Sequence, residues 1–114
     1  MTTEQLPNAG RCHVEEKKIR DYLLNQQHIH GRSKANFFAA RGFAANAWID
    51  FAGALSAQGR DNPVTRITTT DWGTRYQVDC HCPTPDGTNP CIRTVWEISD
   101  SGTPRLLTAH PLNR

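Results

Sequence analysis

The chain has 114 residues, with 13 Lys and Arg against 11 Asp and Glu, for a formal net charge of +2. That length holds one hydrophobic core, so a single domain over residues 1–114 is expected. A hydrophobic content of 37% with 21% charged residues excludes a disordered chain, and no stretch approaches the roughly 18 apolar residues of a membrane span.

In chain order, residues 1–14 read as an N-terminal arm, polar through Asn8-Ala9-Gly10: a loose segment or a turn into a short strand. With one basic residue and no apolar block, they are not expected to form a secretory leader. A cytoplasmic location follows as an expectation, and with it free thiols at Cys12, Cys80, Cys82 and Cys91.

A helical half spans 15–60. The first helix is expected over about 15–25, with Ile19, Tyr22 and Leu23 forming an apolar stripe and Glu15 and Glu16 favouring its N-terminus. A polar loop follows, Gln26-Gln27-His28-Ile29-His30-Gly31-Arg32. The second helix is expected from Ser33 to Arg41, with Gly42 as its C-terminal stop. The third begins after an Asn46 cap, carries Trp48, Phe51, Ala52 and Leu55 inward, and stops at Gly59.

The half from 61 to 114 reads as a β-meander. Strands are expected at 64–70, 74–82, 91–98 and 104–110, separated by Asp71-Trp72-Gly73, by the Pro- and Gly-rich 83–90 loop and by Ser99-Asp100-Ser101-Gly102. Short turns between successive strands favour antiparallel pairing. The expected fold class is α+β: about three N-terminal helices packed on one face of a four-stranded antiparallel sheet.

Several groupings of residues bear on chemistry. His28, Arg32, Ser33 and Lys34 combine an imidazole, the usual acid/base near neutral pH, with cations and a helix start that suit a phosphate; the same residues also describe a solvated loop. On strand three, alternation sends Arg93 to one face and Thr94 and Trp96 to the other. Ile92, Trp96 and Ile98 belong against the helices, so Arg93 faces outward, either as a working cation or in a pair with Glu97 or Asp79. Arg75, Arg105 and Thr108 fall on neighbouring strands, and such a face suits an RNA backbone. Cys80-His81-Cys82 with Cys91 lacks the knuckle spacing of structural zinc, so no metal or other cofactor is expected.

These residues resemble a known set. Leu6-Pro7-Asn8, Lys18-Ile19-x-Asp21-Tyr22-Leu23-Leu24-Asn25, His28-x-x-Gly31-Arg32-x-Lys34-Ala35-x-Phe37-Phe38, Gly73-Thr74-x-Tyr76, Thr84-Pro85-Asp86-Gly87, Arg93-Thr94-Val95-Trp96 and Pro104-Arg105-Leu106-x-Thr108-Ala109-x-Pro111 are similar, in order and spacing, to an uncharacterised bacterial family. That family occurs as small stand-alone proteins and as a C-terminal module of polymorphic toxins and phage-related proteins. Its layout is similar to the barnase, EndoU, colicin D and RelE group of RNA-cleaving toxins. Ile29 stands where the family often has proline, His110 where an aromatic is usual, and Cys80 and Cys82 lie outside its pattern.

The resemblance implies a small ribonuclease-like toxin that cleaves RNA phosphodiesters without a metal. His28, Lys34 and Arg93 would be catalytic, and Arg32, Thr94, Thr108, Arg75 and Arg105 would bind phosphate or substrate. The implied partners are RNA and a cognate antitoxin or immunity protein, with no membrane. The alternative is a non-enzymatic module that docks a small partner protein encoded beside it.

Overall fold

The computed structural model describes residues 4–25, 27 and 32–112. A 3-10 turn, Ala9–Arg11, precedes a single α-turn, Glu16–Lys18 (α1), which passes directly into a π-helical stretch, Ile19–Leu23. Helix α2 is Arg32–Ala40. A second 3-10 turn, Ala45–Ala47, leads into α3, Trp48–Asp61. Strands β1 (Val64–Thr70), β2 (Gly73–His81), β3 (Cys91–Ile98) and β4 (Arg105–Pro111) follow. They pair antiparallel in sequence order, so β1 and β4 are the edges. The fold is α+β.

The core lies between the helices and one face of the sheet. Ile19, Leu23, Phe38, Phe51 and Leu55 meet Val78, Ile92, Trp96, Leu106 and Ala109, all at most 2% exposed. Each Val, Leu, Ile or Phe side chain among them contributes about 1.5–3 kcal/mol by leaving water. The alternation of β3 is the clearest consequence: Ile92, Thr94 and Trp96 are buried under the helices, while Arg93 and Val95 on the other face are half-buried.

Helix α2 stops as its sequence dictates. The Gly42 N–H reaches the Ala39 carbonyl and the Phe43 N–H reaches the Phe38 carbonyl, with Gly42 at φ 101°, the glycine-dependent closure of a helix C-terminus. The other two expected helix punctuations differ. Ala47, not Asn46, occupies the cap of α3, without a side-chain bond. Helix α3 also runs through Gly59 to Asp61. Gly59 is there for contact: a Cβ on it would lie 2.9 Å from the Trp96 ring.

The N-terminal segment from residue 4 is fastened to the sheet. Val64 donates to the Glu4 carbonyl, His13 forms a parallel bridge with Arg105, and Leu6 and Val14 join the core.

The cysteines overturn the expectation that all four are free. Cys80 and Cys91 form a cross-strand disulfide with Cα atoms 4.0 Å apart; Cys12 and Cys82 are the free thiols. Spacing along one chain could not show this, because the pairing depends on the β2–β3 register, which sets Cys80 beside Ile92 and His81 beside Cys91. With their sulfurs bonded to each other, Cys80 and Cys91 are not available as metal ligands.

Candidate functional site

The helical half and the last strand meet at Lys34. The π-helical stretch closes with the Leu24 N–H on the Ile19 carbonyl at 2.8 Å, a widened turn of the kind that often marks functional positions. It carries Tyr22 beside α2. From the first turn of α2, Lys34 Nζ donates to Tyr22 Oη at 3.2 Å and to Thr108 Oγ1 at 3.3 Å, and sits 5.3 Å from the Tyr22 ring centroid. Thr108 reaches this position through a bulge in β4. Val95 pairs with Thr108 and Trp96 with Leu106, leaving Leu107 as an extra residue, a device that re-aims side chains.

Tyr22, Leu107 and Thr108 line a cleft of about 470 Å³ whose other walls include Lys17, Lys18 and Asp21. An ammonium has three donors, and two of those on Lys34 have hydroxyl acceptors. The third can serve an anion. Lys17 and Lys18 add positive potential that Asp21 and Glu15 temper. The arrangement suits a phosphate whose negative charge grows during reaction.

The open face of the sheet carries a second set of charges. Arg93 grips Asp79 with two parallel bonds, Nε to Oδ1 at 2.9 Å and a terminal nitrogen to Oδ2 at 3.0 Å. The hydrogen bond that Arg93 donates to Asp79 raises the Arg93 pKa further above its usual value. Glu97 receives Arg75 at 3.2 Å from one side and Arg105 at 3.0 Å from the other. Burial opposes ionisation of Glu97, but these two bonds outweigh it and hold its carboxyl below the usual range. A groove of about 220 Å³, lined by Arg66, Thr68, Arg75, Gln77 and Val95, lies on the same face.

The residues expected to act together do not gather in one place. Lys34 and Thr108 share one cluster. Arg93, Arg75 and Arg105 stand on the open face, each holding a carboxylate. Thr94 belongs to neither set: it is fully buried on the helix side, donates to Gln58 Oε1 at 2.6 Å and accepts from Trp96 Nε1 at 2.7 Å. Arg32 is the first residue of α2, and His28 lies outside the described residues.

Sequence reasoning missed two participants. Tyr22 reads as one more apolar position at helical spacing; its hydroxyl turns to Lys34 only because the turn widens. Gln58 reads as a surface polar residue of α3. It is 1% exposed, and its Nε2 is shared among the carbonyls of Val78, Cys80 and Ile92 at 3.1–3.3 Å. Cys80 has φ 128°, an unusual backbone for a residue with a side chain, and Gln58 supplies a donor to the strand carbonyls around it. A lone glutamine three residues beyond Leu55 was the one available signal.

A three-helix layer on a four-stranded meander, with a lysine–tyrosine–threonine cluster at its last strand, defines the class. The chain belongs to the family described as a domain of unknown function, DUF6883, which matches residues 5–113. No curated protein matches it. Among solved structures it is similar to a chain of a contact-dependent growth inhibition toxin–immunity protein complex from Klebsiella pneumoniae 342, at 19% identity and a TM-score of 0.65, covering 87% of this chain and 98% of that one. At that identity the likeness shows the fold. Among the described residues no helix is long and apolar enough to cross a membrane.

Proposed function

We propose that this domain is a ribonuclease-like toxin that cleaves RNA at the Lys34 cleft by metal-independent transfer of a phosphodiester to the neighbouring 2′-hydroxyl. The 2′-oxygen bonds to phosphorus as the bond to the 5′-oxygen breaks. A base takes the 2′-hydroxyl proton and an acid supplies one to the departing 5′-oxygen, leaving a 2′,3′-cyclic phosphate and a free 5′-hydroxyl. His28 is the acid/base. Lys34 stabilises the charge that grows on the phosphoryl oxygens and Tyr22 and Thr108 hold its ammonium, whereas Arg93, paired with Asp79 on the open face, stands apart from this cluster.

The observation that carries this reading is the Lys34 ammonium bonded to the hydroxyls of Tyr22 and Thr108, two residues that line a cleft with Lys17 and Lys18. The toxin–immunity description of the similar chain supports a toxin-like or immunity-like role and a protein partner. A second reading, a non-enzymatic module that docks a small partner, is favoured by the exposure of Trp72 (72%) and Ile67 (43%) on the β1–β2 hairpin, since an exposed aromatic is a common binding anchor.

The test incubates purified protein with total RNA in EDTA, beside His28→Ala and Lys34→Ala. Wild type is expected to give products with cyclic phosphate ends. Loss of the acid/base lowers the rate by about 10²–10⁴, and loss of the Lys34 charge by about 10²–10³. No cleavage by wild type, or equal cleavage by both variants, overturns the reading.

A further inference from the structure

Strand register links the Lys34 cleft to the groove on the open face. Thr108 pairs with Val95, Val95 with Gln77, and Gln77 with Arg66. Directly paired residues of a regular ladder project on the same side of a sheet, which sets Val95, Gln77 and Arg66 together on the open face. Thr108, the Lys34 hydroxyl partner, stands at the β4 bulge beside the Val95 end of that row, so the line of paired residues runs from β4 to an arginine on β1. Three interstrand steps of about 4.8 Å make it about 14 Å long. Val95, Gln77 and Arg66 all line the open-face groove.

The charges of that groove are unequal. Arg75 is held by Glu97. Arg66, exposed on β1, has no carboxylate partner among the described residues. Among the described residues no acidic one lines the groove; Thr68 and Gln77 add uncharged polar groups and Val95 an apolar patch. Cations with neutral hydrogen-bonding groups and a small apolar floor describe a path for a nucleic-acid strand. The apolar exposure that suits a protein partner lies on the other side of β1: Ile67 pairs with Tyr76, which pairs with the buried Trp96.

We infer that the row Thr108–Val95–Gln77–Arg66 is a substrate track, with Arg66 forming a second phosphate subsite that takes the backbone of a single-stranded RNA extending beyond the bond at Lys34. The inference rests on the RNA reading above and adds a length requirement to it. A dinucleotide reaches only the Lys34 cleft, whereas a longer strand also engages Arg66.

The experiment separates the two. Binding of a fluorescent single-stranded 2′-O-methyl oligoribonucleotide of about ten residues, which cannot undergo the reaction, is measured across a salt series for wild type, Arg66→Gln and the control Arg60→Gln. Cleavage of an unmodified dinucleotide and of a matching unmodified decamer is measured alongside. Arg66→Gln is expected to weaken oligomer binding about 5- to 10-fold and to lower the salt slope by about 0.7, the value for one phosphate contact on a single strand. It should leave dinucleotide cleavage unchanged, and Arg60→Gln should change neither. Oligomer binding that falls in Arg66→Gln while neither RNA is cleaved upholds the track and overturns the reaction. Cleavage of both RNAs with oligomer binding unaffected by Arg66→Gln overturns the track and leaves the reaction standing. No oligomer binding by wild type also overturns the track.

Discussion

The hydroxyl of Thr108 on the last strand accepts a hydrogen bond at 3.3 Å from the ammonium of Lys34, 74 residues earlier in the chain. The same ammonium reaches Tyr22 in the first helical segment. Three distant stretches of sequence thereby hold one cation beside the cleft that Tyr22 and Thr108 line. Thr108→Val keeps the shape of the side chain and removes the acceptor, and Tyr22→Phe does the same on the other side. Each is expected to cost stability only about 1 kcal/mol. If the two hydroxyls position Lys34 for the reaction, each variant lowers kcat on RNA by about 10-fold with little change in KM, since the interaction serves the transition state. Steady-state cleavage of a defined RNA is the measurement; full activity in both variants would leave Lys34 needing neither partner.

Gln58 anchors the layer between α3 and the sheet. Gln58→Leu retains the volume but strips the donor shared by three strand carbonyls and the acceptor used by Thr94. An unsatisfied buried polar group costs about 1–3 kcal/mol. With several orphaned together, the loss is expected to reach about 3 kcal/mol or more by urea unfolding, a large share of a typical total of about 5–15 kcal/mol. Trp48, which by its helical spacing reads as the anchor of this layer, is only half-buried at its margin; Trp96, fully buried, fills the centre.

Protein denatured without reductant is expected to show two titratable thiols, Cys12 and Cys82, with Cys80 and Cys91 appearing only after reduction. Reduction should lower stability by roughly 2–3 kcal/mol, as for other short disulfide loops. In the folded protein, burial pushes both free thiols up from 9.0 to about 11, with Arg60 opposing slightly at Cys12. Alkylation at pH 8 should therefore be slow until the chain unfolds. The sign for stability follows: because the folded thiols hold their protons more tightly, their contribution is present below pH 9 and is lost as pH rises through 11. Four reactive thiols before reduction would refute the pairing.

The sequence alone determined the fold class and most of the strand bounds. Period-2 alternation with turn residues at fixed offsets leaves an antiparallel meander little choice, and β1 at 64–70 and β3 at 91–98 came out as expected. It also determined that Arg93 and Trp96 face opposite ways, because alternation is a local property of a strand, and it offered Asp79 and Glu97 as the carboxylates of the open face. Gly42 was legible as a helix stop for the same local reason.

What only the tertiary structure decided depends on which residues meet across the chain. Gly59 looked like a helix end because glycine so often is one, yet it lies inside α3 where the Trp96 ring leaves no room for a Cβ. Cys80 finds Cys91 only once β2 and β3 are in register. Thr94 was assigned correctly to the helix side, but its bond to Gln58 needed the depth at which α3 packs. The Lys34 cluster needed a widened turn to aim Tyr22 and a bulge to aim Thr108. These are departures from regular geometry, and neither composition nor period announces them, because each is set by the packing of elements the local pattern describes one at a time.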